Sequence, residues 1–567
     1  MDQIIGEWQT ERQESTATSH YHRDPFAADV SEGKYHPIYK LHPYPTKVPH
    51  RAIMRYILHY TEPGDIVFDG FCGTGMTGVA AQMCADENEV RELGYRVDLD
   101  GTILRQETDE TGKLQWIPFS KLGARRAVLN DLSPAATFIA YNFNSPTDVQ
   151  EFEREAKNVL TEVEKECDWM FETKHTDGRT GKINYTVWSD VFICPECSKE
   201  LIFWEAAVDK EAGQVLDEFP CPHCNTILNK SRMERSWVTF FDSALSETVR
   251  QAKQVPVLIN YSVNNHRFEK KVDKSDLDLI NTIHTTQIPQ WLPSSRLMKG
   301  KATRRNDTIG LPHVHHFYTK RNLWVLANFL NKTKSLKLKI LITKVAMQIT
   351  KLYRFTYQSG TWGAGGGPLS GTLYIPSLVK ELNILKQITT SKDDFSKIET
   401  CTKFQNYCGM TGSSTRLPLS ANETFDYIFL DPPFGSNLNY SELAFLWESW
   451  LKVWTNNTVE AIENSVQGKG IFEYRILMTD CFKEAYRLLK PGHWLTIEFS
   501  NTQAYVWNNI QTALADAGFI VANVSALDKQ KKSFKAETTP TAVKQDLVIS
   551  AYKPNGGFAQ RFQTEYE

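Results

Sequence analysis

The chain has 567 residues, which is too long for one ordinary domain, and its hydrophobic and charged fractions of 41% and 23% are those of a globular protein. A formal net charge of −3 excludes a globally basic nucleic-acid-binding protein, although a local basic face would suffice to bind phosphates. No apolar run approaches the roughly 20 residues of a membrane helix, and the first residues lack the basic and apolar regions of a signal peptide. We therefore expect a cytoplasmic protein with no membrane partner.

The first 50 residues are polar and then rich in proline, histidine and tyrosine. The prolines in His42-Pro43-Tyr44-Pro45 favour an extended strap over a helix. Such a strap lies across a neighbouring domain, either as a surface tether or as the lid of a site. Apolar residues then recur at helical spacing from His50 to Tyr60, and Pro63-Gly64 ends this predicted helix.

A glycine-rich turn follows the short predicted strand Asp65–Phe68. Gly73, Gly75 and Gly78 satisfy the Gly-x-Gly-x-x-Gly pattern, and Asp69 stands at the end of the strand. Glycines let backbone N–H groups approach a ligand closely. A carboxylate here would repel a pyrophosphate, but it suits a ligand that presents an ammonium group and hydroxyls, such as S-adenosylmethionine. The alternative is a glycine turn with a purely structural role.

An acid also follows the next predicted strand, Arg126–Asn130. Asp131 is placed to hold ribose hydroxyls if this strand is the second of a nucleotide-binding unit. The same residue could instead cap the following helix. The sequence alone leaves both interpretations open.

Two Cys-x-x-Cys pairs predict a metal site in a region of about 185–232 that is typical of a zinc ribbon. The pairs are Cys194 with Cys197 and Cys221 with Cys224, separated by 23 residues. Four thiolates fill a tetrahedral shell, so we expect Zn²⁺ with a structural role and no open position for water.

The strongest local basic patch lies between residues 296 and 321, where cations alternate with aromatic and turn residues. Phosphate contact is one interpretation and a solvated loop is the other. His313, His315 and His316 lie in the same stretch, but no carboxylate stands at a matching spacing, so no metal site is predicted there. The candidate nucleic-acid-binding residues are Arg296, Lys299, Lys301, Arg304, Arg305, Lys320 and Arg321.

The tetrapeptide Asp431-Pro432-Pro433-Phe434 follows the buried predicted strand Phe425–Leu430. The two prolines end the strand because neither can donate a ladder hydrogen bond. The carboxylate of Asp431 and the carbonyl of Pro432 could accept both hydrogens of an exocyclic amine, and the ring of Phe434 could stack on the attached base. The alternative is a turn that only ends the strand.

Alternating strands and helices on both sides of the cysteine-rich region predict an α/β fold with a mainly parallel sheet, split by an α+β insertion. The expected organisation is a strap at 1–50, a first half at 51–148, an inserted domain at 149–395, a second half at 396–556 and a tail at 557–567.

These motifs together resemble a known family. Asp69–Gly75 resembles the cofactor motif of the amino-group (N6-adenine or N4-cytosine) DNA methyltransferases, and Asp431–Phe434 resembles their catalytic tetrapeptide. Leu489–Gly492 resembles the turn before a later strand of the same fold, and the strap at His42–Pro45 resembles a segment that covers the cofactor in many of these enzymes. The resemblance covers roughly residues 35–148 and 400–555.

The resemblance implies a class I methyltransferase fold, which is Rossmann-like with seven strands, and S-adenosylmethionine as methyl donor. It implies that Asp431, Pro432, Pro433 and Phe434 hold a flipped base. The implied cofactor-binding residues are Asp69, Phe71, Gly73, Thr74, Gly75, Asp131 and Ser413. Double-stranded DNA is the implied partner, with restriction or phage-defence subunits of a prokaryotic cell as further ones, and the insertion is a candidate reader of the target sequence.

Several alternatives remain open at this point. Asp at the first position of the tetrapeptide favours adenine over cytosine. An RNA methyltransferase acting on guanine N2 or adenine N6 uses a similar turn, and an inactive nucleic-acid-binding subunit could retain the fold. A dinucleotide-linked oxidoreductase leaves Asp431–Phe434 unexplained.

Overall fold

The computed structural model describes residues 1–13, 21–358, 360–396, 406–501, 503–529 and 546–555, so the predicted tail at 557–567 lies outside the described residues. The chain divides into two compact units. The first comprises Met1–Thr147, Ile398–Ser441 and Trp454–Glu567, and the second comprises Asp148–Lys397 and Glu442–Val453. The predicted insertion, 149–395, therefore lies in the second unit, which also takes in the segment Glu442–Val453 from the predicted second half at 396–556.

The helices of the described residues are α1 (Asp2–Gln13), α2 (Pro37–Lys40), α3 (His50–Tyr60), α4 (Met76–Met83), α5 (Glu87–Glu92), α6 (Pro134–Asn144), α7 (Val149–Cys167), α8 (Phe203–Ala207), α9 (Lys274–Thr285), α10 (Lys320–Lys332), α11 (Ile340–Ala346), α12 (Ile384–Ser396), α13 (Tyr440–Leu451), α14 (Ile471–Leu488) and α15 (Ala504–Ala517). Short 3-10 helices lie at Asp168–Phe171, Lys230–Arg232, Arg304–Ile309, Val314–Phe317, Asn457–Val459 and Ser465–Gln467.

The strands are β1 (Val30–Ser31), β2 (Ile66–Asp69), β3 (Arg96–Val97), β4 (Thr102–Thr108), β5 (Leu114–Lys121), β6 (Arg126–Asp131), β7 (Glu172–Lys174), β8 (Thr180–Ile193), β9 (Glu200–Ile202), β10 (Val208–Asp209), β11 (Gln214–Val215), β12 (Glu218–Pro220), β13 (Ile227–Asn229), β14 (Glu234–Arg235), β15 (Trp237–Asp242), β16 (Glu247–Ala252), β17 (Gln254–Val263), β18 (His266–Lys271), β19 (Tyr357–Gln358), β20 (Thr361–Trp362), β21 (Leu378–Leu382), β22 (Tyr407–Thr411), β23 (Phe425–Leu430), β24 (Leu489–Phe499), β25 (Ile520–Asp528) and β26 (Asp546–Tyr552).

The described part of the first unit contains a mixed sheet with the strand order β1-β25-β26-β24-β23-β2-β6-β22. Strand β26 runs antiparallel to both of its neighbours, and the other pairings are parallel. The sheet has eight strands where seven were predicted, because the two-residue strand β1 pairs with β25 at one edge. Every residue of β2 and β23 is buried, as expected for central strands that are covered on both faces.

The parallel register brings several acidic residues to one edge of this sheet. Asp69 at the end of β2 pairs with Leu129 of β6, two residues before Asp131. Leu430 of β23 pairs with Ile497 of β24, so the next residues along the two strands, Asp431 and Glu498, are neighbours. The carboxyl ends of parallel strands are where open α/β sheets place their ligand chemistry.

The second unit is built around the long strand β8. Strands β7, β9, β14, β17 and β21 all pair with it antiparallel, and β18 extends the sheet from β17. Helix α7 is amphipathic, and its buried residues face α10 and α12. None of the helices in the described ranges has the length and apolar character needed to cross a membrane.

Candidate active site

A cavity lies in the first unit at the carboxyl edge of the central strands. It brings together the glycine turn, Asp131 at the end of β6, Ser413 before β23, Asp431 of the tetrapeptide and part of the strap. The lining includes Tyr44, Thr46, Lys47, Asp69, Phe71, Gly73, Thr74, Asp131, Ser413, Asp431, Pro433 and Tyr440. Two motifs that are far apart in the sequence thus share one cavity.

Asp69 organises the glycine turn through both of its carboxylate oxygens. The backbone N–H of Phe71 donates to Oδ1 over 2.9 Å, and the hydroxyl of Thr77 donates to Oδ2 over 2.5 Å. Burial raises the pKa of Asp69 to about 7, and the nearby charge of Asp131 adds to this rise. An acid held this way is easier to ionise when a cation binds beside it.

Asp131 fixes the other side of the same turn. Its Oδ2 accepts the backbone N–H of Gly73 over 2.8 Å, and its Oδ1 accepts the backbone N–H of Ser133 over 2.9 Å. The backbone N–H of Ala136 donates the helix-capping bond to Oγ of Ser133, so Asp131 is not the capping residue. Burial raises the pKa of Asp131 to about 6.

Two of the glycines in the turn have different reasons to be glycine. Gly73 has φ +49, and a Cβ there would lie 3.2 Å from the ring of Tyr44 in the strap. Gly75 has φ +78 and lies outside the cavity lining, since a Cβ there would meet Asn144 at 2.5 Å and Ala140 at 2.8 Å. Gly75 therefore packs closely against α6, and its contact with a ligand stays a prediction.

Asp431 is partly buried in the cavity wall, and its Oδ1 has no hydrogen-bond partner among the residues that the structure describes. Burial raises the pKa of Asp431 well above its usual value, the charge of Glu498 adds to the rise and Lys529 opposes it. An unsatisfied buried acceptor is costly, so a ligand that donates a hydrogen to Oδ1 would be bound favourably.

Of the other tetrapeptide residues, Pro433 lines the cavity, whereas Phe434 and Pro432 do not. Phe434 is 4% exposed and packs edge-to-face against Phe499, with ring centroids 5.3 Å apart, so its ring belongs to the core and does not face the cavity. The ring is apolar and finds its partners there. Pro432 is buried outside the cavity lining, and the carbonyl of Pro433 accepts the hydroxyl of Tyr474 over 2.8 Å.

Two residues beside Asp431 escaped the sequence analysis. Glu498 is fully buried next to Asp431 in the strand register, and burial raises its pKa to about 7. Lys529 is also buried and forms ion pairs with Glu498 and with Asp546, the latter at 2.9 Å. A single Glu in an apolar strand carries no local signal of such a cluster.

The strap closes one side of the cavity. The hydroxyls of Thr46 and Tyr440 are 2.9 Å apart, and Lys47 donates to the carbonyls of Tyr39 and His42. Burial lowers the pKa of Lys47 to about 7. Of the two roles considered for the strap, the structure places residues 44–48 in the lining of the cavity.

The four cysteines of the second unit come together as a group that could hold a metal ion. Sγ of Cys194 is 3.8 Å from Sγ of Cys224, and Sγ of Cys197 is 3.9 Å from Sγ of Cys221. A tetrahedron with Zn–S bonds of about 2.3 Å has edges of about 3.8 Å, so these separations fit zinc.

The structure divides the seven predicted nucleic-acid-binding residues. Arg321 is 4% exposed and pairs with Glu381 at 2.6 Å, so it is a core residue and its prediction is wrong. Arg296 and Arg304 pair with Asp307, and Lys320 donates to the carbonyl of His284 over 2.7 Å. Lys299, Lys301 and Arg305 are exposed.

The histidines near this segment do have a carboxylate partner, which comes from a distant strand. Nε2 of His315 and Nε2 of His316 lie 2.7 and 2.8 Å from Oδ2 of Asp242. These are hydrogen-bond distances. The ligand atoms of Asp242, His315 and His316 also lie close enough together that the group could hold a metal ion, which the sequence did not predict.

Comparison with known proteins gives one family match. Residues 5–87 match the model of a family described as DNA methylase, which confirms the resemblance to amino-group DNA methyltransferases over that segment. None of the curated proteins that were compared matches the chain.

Solved structures overlap with the chain only in part. A protein of Thermus thermophilus proposed to be a DNA modification methylase is 20% identical, with 14% of this chain and 37% of that chain covered and a TM-score of 0.12. A 16S rRNA (adenine(1408)-N(1))-methyltransferase of Catenulisporales acidiphilia is 13% identical, with 29% and 71% covered and a TM-score of 0.17. Overlaps of this extent carry no argument about fold or activity.

Proposed function

We propose that the chain is an S-adenosylmethionine-dependent methyltransferase that methylates the exocyclic amino group of a base in DNA, adenine N6 in preference to cytosine N4. The observation that carries this proposal is the shared cavity, which Asp431 lines together with the glycine turn held by Asp69 and Asp131, while the buried Oδ1 of Asp431 has no hydrogen-bond partner within the described residues. The family match of residues 5–87 to DNA methylases supports DNA as the substrate.

The cavity suits a cofactor of this kind. Its lining brings the two acids Asp69 and Asp131 to the glycine turn, which suits a cationic ligand that carries hydroxyl groups. The residues that would hold the cofactor are the glycine turn with Asp69, Phe71, Gly73 and Thr74, together with Asp131 and Ser413. When bound, S-adenosylmethionine supplies an electrophilic methyl group on a positively charged sulfur.

Asp431 has the chemistry needed for an aromatic amine. The lone pair of such an amine is delocalised into the ring, which makes the nitrogen a poor nucleophile. A hydrogen bond from the amine to Oδ1 of Asp431 would localise that lone pair and orient the nitrogen. The carboxylate would also stabilise positive charge as it develops on the nitrogen. The Pro432 carbonyl as the second acceptor stays a prediction.

Further parts of the proposal rest on the fold and on the resemblance. When β1 is left out, the seven remaining strands of the mixed sheet can be numbered in chain order. Their order across the sheet is then 6-7-5-4-1-2-3, with the seventh antiparallel, which supports a class I methyltransferase fold. We infer structural Zn²⁺ on the four cysteines, double-stranded DNA as partner, and restriction or phage-defence subunits as further partners.

The test is transfer of a tritium-labelled methyl group by the purified full chain to duplex DNA and to RNA, followed by identification of the modified base. We expect label in DNA, as N6-methyladenine. Label in RNA alone would establish the RNA alternative. Binding of DNA without any binding of S-adenosylmethionine would establish the inactive reader.

A further inference from the structure

An exposed β-hairpin in the second unit has an aromatic and cationic face. Strands β15 and β16 pair in the register Trp237↔Ala252, Thr239↔Arg250 and Phe241↔Thr248. Alternate residues of a strand share a face, so Trp237, Thr239 and Phe241 lie on one face with Thr248 and Arg250. Phe241 is 66% exposed, and no carboxylate is present on this face.

The cation of this face is placed over an aromatic ring. The guanidinium carbon of Arg250 lies 4.6 Å from the centroid of Trp237. Within the described residues Arg250 forms no ion pair with an acid, so its charge is not compensated locally. A flat ring, a guanidinium plane and an exposed phenyl group are the groups on which unpaired bases stack.

The hairpin is held rigidly at two positions. At its tip, His315 and His316 both bond to Asp242, whose other oxygen accepts the backbone N–H of Ala244 over 2.9 Å. Farther down, a Cβ on Gly310 would lie only 2.1 Å from the carbonyl oxygen of Arg250, so the backbone of this segment packs directly against β16. A rigid platform loses little entropy when it binds a ligand.

A basic turn, Lys299–Arg305, precedes Gly310 in the chain. The backbone N–H groups of residues 301, 302 and 303 donate to the carboxylate of Glu442 over 3.0, 2.7 and 2.9 Å, and Gly300 leaves no room for a side chain there. This carboxylate holds the turn while the side chains of Lys299, Lys301 and Arg305 remain exposed.

A short helix links the two features. The 3-10 helix Arg304–Ile309 begins at the end of the basic turn and leads directly to Gly310, which packs against the carbonyl of Arg250.

We propose that the aromatic hairpin (Trp237–Ala252) and the basic turn (Lys299–Arg305) form one DNA-binding surface, in which Phe241 and Trp237 stack with bases that are unpaired when the target base leaves the duplex. The uncompensated cations favour a polyanion over a protein partner. The inference rests on the proposed function in its choice of DNA, but its test requires no methyl transfer.

The test uses the full chain and two fluorescein-labelled DNA duplexes of the same sequence, one fully paired and one with a central stretch of unpaired bases. Fluorescence anisotropy measures the affinity for each. We expect the probe with unpaired bases to bind more tightly than the paired probe. Phe241→Ala should weaken the binding of that probe about tenfold. Phe472→Ala, which removes an equally exposed phenyl group from α14 of the first unit, is the matched control and should change nothing.

The charges are tested by the salt dependence. Lys299→Ala with Lys301→Ala should lower the slope of log affinity against log salt by about 1.5, because each lysine releases less than one counterion. Lys274→Ala, an exposed lysine at the start of α9, should leave the slope unchanged. Thermal melting confirms that all variants are folded.

The other possible results each support or overturn the proposed DNA-binding surface. Unchanged affinity and slope in the test variants would overturn it, even if the enzyme methylates DNA. These same losses in a chain without methyl transfer would support the surface while the proposed function fails. Tighter binding of a matched RNA, or self-association that Phe241→Ala abolishes while DNA binding stays intact, would overturn DNA as the occupant.

Discussion

Two aspartates stand at the ends of neighbouring parallel strands of the same sheet, Asp69 as the last residue of β2 and Asp431 directly after β23. Both are buried enough that desolvation raises their pKa. They differ in their hydrogen bonds, because both oxygens of Asp69 are bound by its own turn, whereas Oδ1 of Asp431 has no partner within the described residues. Asp69 and Asp431 therefore occupy equivalent positions at the sheet edge. Their hydrogen bonds distinguish them, because those of Asp69 stabilise its own turn, whereas Oδ1 of Asp431 can still accept a hydrogen bond from a ligand.

The largest effect is expected at the open acid. Asp431→Ala should lower the methyl-transfer rate by about a thousandfold, since it removes the group that receives the amine and stabilises its charge. Affinity for S-adenosylmethionine, measured by calorimetry, should remain within about twofold. Asp431→Asn is the matched control, because it keeps an acceptor oxygen in place and should retain more activity than the alanine variant. Equal activity of the wild type and Asp431→Ala would refute the proposed role of Asp431 in methyl transfer.

The turn-building acid should behave differently. Asp69→Ala leaves the N–H of Phe71 and the hydroxyl of Thr77 without their partner, so we expect a loss of about 1–3 kcal/mol of unfolding free energy. Calorimetry should also show about tenfold to hundredfold weaker binding of S-adenosylmethionine, because the turn that contacts it is disordered. If Asp69→Ala melted and bound like the wild type, the comparison between the two acids would fail.

The pH dependence of cofactor binding sharpens the comparison. Asp69 and Asp131 have raised pKa values of about 7 and 6, so a cationic ligand must displace their protons below these values. Affinity should rise between pH 5 and 8, by at most about tenfold per pH unit for each proton released. In the free protein the folded state holds these protons longer than the unfolded state, so their contribution to stability falls as pH rises from about 4 to 7. Asp131→Asn should flatten the lower part of the binding curve.

A smaller effect is expected from the neighbours of Asp431. Glu498 raises and Lys529 lowers the pKa of Asp431. Glu498→Gln should therefore move the acidic limb of the transfer rate to lower pH, by about one unit. Lys529→Met should move it in the opposite direction. Shifts of the same sign in both variants would show a general structural effect.

The strand ends could be predicted from the sequence because their causes are local. The strand Phe425–Leu430 has the predicted limits in the structure, since an apolar run and two prolines determine where it begins and ends. The glycine turn after Asp69 is likewise determined by residues that are close in the chain. These local features were enough to place both motifs on one sheet edge.

Side-chain partners from distant segments could not be predicted. Arg321 resembles its neighbours in a basic stretch, but Glu381, 60 residues away, pairs with it in the core. Asp242 reaches His315 across 73 residues. The position of Phe434 in the core also depends on Phe499, which only the folded sheet brings near.

Strands β2 and β23 are far apart in the sequence, so they can pair only after most of the chain has been synthesised. The N–H of Ile66 donates to Asp426 over 360 residues of chain. At about 5–20 residues per second, a ribosome needs about 20–70 s to make that stretch. Throughout this interval the edge of β2 that will pair with β23 is unpaired, and nascent chains in that state are candidates for chaperone binding. Most of the second unit is synthesised in the same interval and can fold first.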